Sequence, residues 1–575
     1  MNGISVVPPG LLLILGALLL PVAGVRLRGL LVLGLPLLVL ALVWQIPDGS
    51  SLQLRFIGYE LSPISGDRLS RLFGTVFAIT AFAGGLFALN RARVVELVAA
   101  MICAGSAIGI TFAGDLVTLL VFWESLALAS TLLVWSAMTE QSRAAGMRYL
   151  IIHLLGGALL LTGIIGHVAA VDSIAFTSMS LDSPAHWLML AGFLMNAAAP
   201  PLSAWLPDAY PEASPSGMVL LSAFTTKAAV YVLLRGFPGA EILIFLGLYM
   251  IFYGIVYALL ENDMRRILAY SIVNQVGFML CGIGIGTEMS LNGAAAHAFA
   301  HIIYKALLLM SAGSVLYMTG KRKCTDLGGL FQSMPLTTIC GIIGALSISS
   351  FPLTSGFISK SMISQAAADQ HLAIVWFLLM AGSAGVFLHA GIKFPWFVFF
   401  QKDAGLTPTD PPLNMRLAMI LFAFLCIALG IWPAPLYAIL PYPVDYVPYT
   451  YTHVVSMLQL LLFSGLAFFI MLPYLKRTLT ITLDWDWFYR WPVPRALQQV
   501  TKTLDRWHTH RRSDFLRHAG HFFGTLFLYH GPRGILARTW ATGSMVLWVV
   551  ILLGIYLVAY YIRTRTQVCR RSLFW

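Results

Sequence analysis

Three titratable side chains lie along one apolar stretch of the chain, LNGAAAHAFAHIIYKALLLMSAG. His297, His301 and Lys305 recur at every fourth residue, which places them on one face of an α-helix. Imidazole accepts and releases a proton near neutral pH, and a lysine kept from water gives up its proton more readily than an exposed one. The line of groups therefore predicts a proton relay. The alternative is a set of histidines that hydrogen-bond neighbouring helices for packing.

Other apolar stretches each carry an isolated charge. Glu124 is the only charge in LVTLLVFWESLALASTLLVWSAM, and Lys227 and Lys360 occupy similar stretches. Because an ionisable group at membrane depth is costly, its presence indicates an ion or proton path, and a structural ion pair is the alternative. His389 and Lys393 are further candidates, although Lys393 lies near a predicted helix end, where its side chain could reach the membrane surface.

Two of the apolar stretches are interrupted. Pro200 and Pro201 follow Asn196 in the first, and the second contains Pro352 and Gly356. A helix broken inside a bilayer persists only where the freed backbone groups are buried in protein or line a wet cavity. The two breaks lie five predicted helices apart. This spacing is typical of two inverted structural repeats with a transport site at each break.

The composition indicates a protein built almost wholly of membrane helices. Of 575 residues, 59% are hydrophobic and 10% are charged, and the mean hydropathy is +0.82, whereas soluble domains carry about 25% charged residues. We predict an all-α polytopic membrane protein of about 14 to 16 transmembrane helices, with two five-helix inverted repeats, in the inner (plasma) membrane of the cell. The net charge of +12 reflects membrane topology rather than nucleic-acid binding.

The cysteines and histidines do not predict a cofactor. The six cysteines form no CxxC pair, which disfavours an iron–sulfur cluster or a zinc site, and the histidine pair lacks the glutamate of an HExxH motif. We predict neither metal nor cofactor, and no redox chemistry within this chain. An enzymatic role is left open only as a subunit of a translocating oxidoreductase.

Changes in composition divide the chain into six segments. Residues 476–540 are basic and aromatic, with apolar residues at helical spacing, and favour an amphipathic helix at the membrane interface over a disordered basic linker. We predict N-terminal helices and a surface hairpin at 1–65, a first transport repeat at 66–238, a second at 239–400, further membrane helices at 401–475, the interfacial segment at 476–540, and a final membrane helix with a basic tail at 541–575.

Motifs across residues 65–400 carry a family resemblance. FWESLAL, PPLSAWLPDAYPEASP, TTKAAVYVLLR, NDMRRILAYSIVNQVGF, HAFAHIIYKALLLMSAG, DLGGL and SSFPLTSGFISK resemble the antiporter-like membrane subunits shared by respiratory complex I, membrane-bound hydrogenases and Mrp cation/proton antiporters. CIALGIWPAPLYAILPYP is most similar to the Mrp D-type subunit. The resemblance implies partner membrane subunits, transport of protons and of Na⁺ or K⁺, and a polar axis formed by Glu124, Lys227, His297, His301, Lys305 and Lys360.

The sequence departs from this family in its first half. Asn196 stands where the family usually has a lysine paired with the glutamate, and Ser203 stands where it usually has a histidine. Asparagine cannot hold a proton, so we expect either that Lys227 substitutes as the partner of Glu124 or that this half has lost its switch. Alternatively, the Asn196 amide hydrogen-bonds the carbonyls freed by the two prolines.

Three functions remain open at this stage. The first is a proton-conducting subunit of a multi-subunit complex that exchanges protons for a monovalent cation. The second is a proton-pumping membrane subunit of a redox complex of the complex I or hydrogenase type. The third is a degenerate subunit that acts as a scaffold or a passive proton path.

Overall fold

A computed structural model describes residues 7–56, 58–89, 91–473, 484, 486–531, 534 and 541–571, without the side chains of 506–512 and 565–571. Thirteen helices within these ranges are long and apolar enough to cross a membrane. The predicted all-α polytopic fold is confirmed.

The first part of the chain contains nine helices and a two-stranded hairpin. The antiparallel hairpin confirms the strand pairing predicted between the second and third helices. The elements are α1 Pro9–Leu19, α2 Val25–Gln45, β1 Ser51–Phe56, β2 Tyr59–Ser65, α3 Arg68–Ala88, α4 Val94–Phe112, α5 Leu116–Trp135, α6 Glu140–Val171, α7 Pro184–Asn196, α8 Trp205–Ala209 and α9 Pro215–Gly236.

The remaining part of the chain contains helices and no strand among its described residues. After α15 the chain continues in π-helical turns at Phe387–Lys393 and Trp396–Phe400. The helices are α10 Ile242–Leu260, α11 Met264–Ile285, α12 Glu288–Thr319, α13 Pro335–Ile348, α14 Ser355–Asp369, α15 Ala373–Val386, α16 Leu413–Ile431, α17 Ala434–Tyr437, α18 Tyr451–Met471, α19 Asp486–Arg490, α20 Pro492–His530 and α21 Thr542–Arg571.

Two groups of helices repeat the same local design. Asp115 caps α5 and Asp263 caps α11, and each aspartate forms an isolated antiparallel bridge to a later loop. The helices that follow, α6 and α12, both have 32 residues and begin after a capping threonine. The same chain interval separates all of these pairs. If each repeat crosses the membrane five times, as the sequence predicts, the second begins on the opposite side and is inverted.

The centre of the bundle is formed by α9, α11 and α12. The apolar windows of α9 and α11 are wholly buried and that of α12 almost wholly. Glycines let neighbouring backbones approach closely: a Cβ at Gly277 of α11 would lie 2.5 Å from the carbonyl oxygen of Gly247 on α10. α12 also packs against α13 and α14, so the face that carries its histidines lies inside the protein.

The predicted interfacial segment is helical where it is described. α20 has 39 residues, and the side chains described along it are almost all exposed, which agrees with the amphipathic alternative and not with a disordered linker. Residues 476–483, 485, 532–533 and 535–540 of this segment lie outside the described residues, as do 572–575 of the predicted basic tail.

Candidate functional site

His297 is held in place from two neighbouring helices. Its Nδ1 lies 3.0 Å from the Ser359 hydroxyl on α14, and its Nε2 lies 3.1 Å from Oε1 of Gln275 on α11. The Tyr304 hydroxyl also donates to Gln275 Oε1, at 3.1 Å. The imidazole therefore has a polar partner at each nitrogen within a fully buried network.

His301 and Lys305 are buried without such partners. Both residues have zero exposed surface, and among the described residues neither His301 nitrogen nor Lys305 Nζ has a hydrogen-bond partner. The edge of the Tyr304 ring packs against His301, with 5.2 Å between ring centres. Buried polar atoms are normally satisfied by protein or by water. The packing alternative thus accounts for His297 but not for His301, whose nitrogens have no partner among the described residues.

Lys227 lies beside the line on α12 rather than beside Glu124. Its Nζ donates to the Ser222 carbonyl at 2.7 Å and to the Thr226 hydroxyl at 3.0 Å. Lys227 is fully buried on α9, and α9 packs along α12. The structure therefore brings Lys227 to the cation-rich path of the second repeat.

Lys360 closes the path at the second helix break. Its Nζ donates to the carbonyl oxygen of Ile348, the last residue of α13, at 2.7 Å. The ammonium also lies 4.8 Å from the centre of the Phe278 ring. Helix α14 can approach so closely because a Cβ at Gly356 would lie 1.8 Å from the carbonyl oxygen of Ser347. The glycine thus allows the two half-helices to meet.

The two breaks have the same backbone geometry. After each half-helix, three successive amides donate to equivalent carbonyls, and the second of the three residues is left-handed, with φ of 59° and 58°. The donors and acceptors are Ala197 to Phe193, Ala198 to Met195 and Ala199 to Leu194 in the first break, and Ser349 to Ala345, Ser350 to Ser347 and Phe351 to Leu346 in the second. Asn196 therefore corresponds to Ile348, Pro200 to Pro352 and Ser203 to Ser355.

The first break holds Asn196 without the contacts expected of it. The residue is fully buried, and neither atom of its amide has a hydrogen-bond partner among the described residues. The expectation that this amide binds carbonyls freed by Pro200 and Pro201 is wrong. The backbone itself supplies donors for the preceding carbonyls, through the three amides after the half-helix.

Glu124 lies against α6 rather than against a lysine. A Cβ at Gly157 would lie 1.7 Å from Glu124 Oε1, so the carboxylate packs directly on the glycine. No ion pair between Glu124 and Lys227 occurs in the part of the chain that the structure describes. Of the two alternatives, the one in which Lys227 is the partner of Glu124 does not agree with the structure, because Lys227 Nζ binds oxygens of its own helix.

The position in the first repeat that matches Lys360 is occupied by an acid. Asp208 forms a two-point ion pair with Arg148, with Nε–Oδ2 at 2.7 Å and Nη2–Oδ1 at 2.8 Å. The two repeats thus share a backbone but carry opposite charges at equivalent positions.

The two further candidates have local contacts. Lys393 Nζ donates to three carbonyls at the C-terminal end of α10, those of Ala258, Leu259 and Glu261, at 2.9, 2.6 and 2.6 Å. These contacts match a cation at the negative end of a helix dipole. His389 Nδ1 lies 2.8 Å from the Gly385 carbonyl oxygen. Lys393 therefore joins the end of α10 to the π-helical turn that follows α15.

Sequence reasoning missed the partners of His297. Gln275, Tyr304 and Ser359 are uncharged and lie in apolar or serine-rich stretches, where polar residues are common. The available signal was the pair Asn274-Gln275 in the middle of an otherwise apolar stretch, since buried amides require hydrogen-bond partners. Only the packing of α11 and α14 on α12 identifies what those partners are.

Comparison with known proteins finds a family model that matches the central part of the chain. Residues 113–388 match the model of the transmembrane family "NADH:quinone oxidoreductase/Mrp antiporter". A probable K⁺/H⁺ antiporter protein of the A/B type from Rhizobium meliloti is 30% identical over 356 residues, which cover 57% of this chain and 36% of that protein. The chain therefore spans only about a third of that relative's length.

Two solved structures share the fold. The structure of the Mrp complex from Dietzia sp. DQ12-45-1b has a chain with a TM-score of 0.67 and 20% identity, covering 79% of this chain and 99% of that one. The membrane-bound sulfane sulfur reductase, an archaeal respiratory membrane complex, has a chain with a TM-score of 0.69 and 23% identity, covering 96% and 99%. The similarity to the D-type subunit in particular stays a prediction. The family that this chain resembles over residues 113–388 is thus the NADH:quinone oxidoreductase/Mrp antiporter transmembrane family.

Proposed function

We propose that this chain is a proton-conducting membrane subunit of a larger complex, and that the complex exchanges protons for a monovalent cation. The observation that carries the proposal is the buried run of titratable groups through the second repeat. Lys305, His301 and His297 follow one another along α12, and Lys360 meets the run at the break of the next helix pair. Ionisable groups at membrane depth are costly, and their presence there indicates a role in transport.

The contacts of these groups support stepwise proton transfer. His301 and Lys305 have no hydrogen-bond partner among the described residues, so their nitrogens are available to accept and release a proton in turn. His297 has oxygen partners at both ring nitrogens, which hold the ring while a proton enters at one nitrogen and leaves at the other. Lys227 contributes a further buried amine on α9, the helix that packs along α12.

A second function remains supported by the shared fold. One of the two structural neighbours belongs to a respiratory complex, so a pumping subunit coupled to redox chemistry on other chains would use the same path. A degenerate scaffold is the third alternative, and Asn196 is the feature that favours it. Neighbouring genes separate these functions: small antiporter subunits favour cation exchange, and hydrogenase or quinone-reductase subunits favour redox-driven pumping.

The decisive experiment removes the amine at Lys305. We expect Lys305→Ala to abolish proton-coupled flux in vesicles that contain the purified complex and a pH-sensitive dye. The run of titratable groups on α12 then lacks its amine. Complex yield should stay normal, since Lys305 Nζ makes no hydrogen bond to any described residue.

The matched control is Lys321→Ala. Lys321 follows α12 in an exposed loop, and its removal should leave flux and yield unchanged. Normal flux in Lys305→Ala vesicles would contradict the proposed path. Loss of flux in both variants would show that the assay reports surface charge and not the buried run.

A further inference from the structure

The two half-helices end alike but differ in the cation that meets them. At the end of α13, the Lys360 ammonium binds the Ile348 carbonyl oxygen at 2.7 Å. The C-terminal end of a helix carries partial negative charge, so a cation is stabilising there. The first half-helix, α7, ends at Asn196 in the same backbone geometry and presents the same negative end inside the protein.

No amine in the described part of the chain meets the end of α7. The residue that matches Lys360 is Asp208, which binds Arg148. Among the described residues, no side chain donates to the Asn196 carbonyl oxygen, and the Asn196 amide and the Ser203 hydroxyl are buried without partners. The end of α7 therefore carries a backbone carbonyl, a side-chain amide and a hydroxyl that have no partner among the described residues.

Ser203 lies near the last turn of α7. The indole Nε1 of Trp205, two residues after Ser203, donates to the Met195 carbonyl at 2.9 Å. This bond folds the segment after the break back onto the residue that precedes Asn196. The hydroxyl and the amide thus belong to one small region.

The Glu124 carboxylate reaches the same part of the bundle. Two adjacent glycines of α6 give its position: Gly157 contacts Glu124, and a Cβ at Gly156 would lie 3.3 Å from Cβ of Met195, next to Asn196. The position in α12 that matches Gly157 is Lys305, by the interval that separates the two repeats. Where the second repeat has an amine, the first has a glycine covered by a carboxylate.

We propose that the first break binds a monovalent cation, Na⁺ or K⁺, in place of an amine. Its ligands are the Glu124 carboxylate, the carbonyl and side-chain oxygens of Asn196, and the Ser203 hydroxyl. Hard cations take oxygen ligands, and the ends of broken helices coordinate Na⁺ in transporters. One carboxylate neutralises a single positive charge, whereas a divalent ion would leave one positive charge uncompensated.

The proposed ligands follow from the surroundings of Glu124, Asn196 and Ser203. The role of the site in ion exchange rests on the function proposed above. The test is equilibrium binding of radioactive sodium, and separately of radioactive rubidium as a potassium analogue, to the purified complex that contains the full chain. Glu124→Gln and Ser203→Ala should each weaken binding about tenfold or more, because each removes an oxygen from the ion. Asn196→Lys should abolish binding, because its ammonium takes the ion's place.

The matched control is Ser355→Ala, which removes the equivalent hydroxyl from the second break and should leave binding unchanged. Equal binding by the wild type, Glu124→Gln and Ser203→Ala would overturn the site, as would the absence of binding by the wild type. If Asn196→Lys fails to assemble, the two conservative variants still decide. Proton flux measured in parallel separates the two proposals: binding without flux contradicts the proposed function, and flux without binding contradicts the site.

Discussion

Replacing Lys360 by methionine should stop transport without weakening the protein. The substitution keeps the length of the side chain and removes its charge. It loses one charged hydrogen bond, to the Ile348 carbonyl, which contributes about 1.5–3 kcal/mol, and the contact with the Phe278 ring, which contributes about 1–2 kcal/mol. It also removes a buried cation, whose desolvation costs several kcal/mol. These contributions oppose one another, so the net change in stability should stay within about 2 kcal/mol.

The effect on flux should be large by comparison. Lys360 is the titratable group at the second break, and removal of a group that transfers a proton lowers a rate by about a hundredfold or more. Proton flux in vesicles, divided by the amount of assembled complex, measures this directly. Heat stability of the purified complex in detergent measures the energetic part.

Lys393→Met is the matched control, because it also removes a buried lysine from the end of a helix. Lys393 makes three charged hydrogen bonds to the end of α10, and together they outweigh the same desolvation cost. This variant should lose about 2–3 kcal/mol of stability and retain its flux per assembled complex. A Lys360→Met protein with normal flux, or with stability reduced as much as that of Lys393→Met, would refute the reasoning.

Two further substitutions test the first repeat. Gly157→Ala should lower assembly or flux, because the new Cβ would lie 1.7 Å from Glu124 Oε1 and must displace the carboxylate. The control is Gly156→Ala, whose Cβ would lie 3.3 Å from Met195 and should have a milder effect. Equal effects of the two variants would argue against the Glu124 contact. Asp208→Ala leaves Arg148 without its carboxylate and should lower stability by about 2 kcal/mol or more; denaturation of the purified complex measures this loss, and Asp182→Ala on the surface is the control that should not change it.

The repeat geometry changes the meaning of Asn196. Taken alone, an asparagine in place of a lysine indicates a lost switch. Asn196 corresponds to Ile348, whose carbonyl oxygen accepts from the Lys360 ammonium. In the proposed site, a free cation takes the place that this ammonium has in the second break.

The sequence by itself determined the elements that depend on local chemistry. Apolar runs of sufficient length specify membrane helices, and the prolines and glycine placed both breaks where α7 and α13 end. The spacing of His297, His301 and Lys305 put them on one helical face. These conclusions held because each depends on residues close together in the chain.

Only the tertiary structure decided which charges share a neighbourhood. One of the two alternatives placed Lys227 next to Glu124, but the lysine lies on α9, which packs along α12. The neighbours of a side chain on a buried helix depend on that packing. Gln275 and Ser359 became partners of His297 for the same reason. Helix packing depends on parts of the chain that are distant in sequence, and residue spacing within one helix does not specify it.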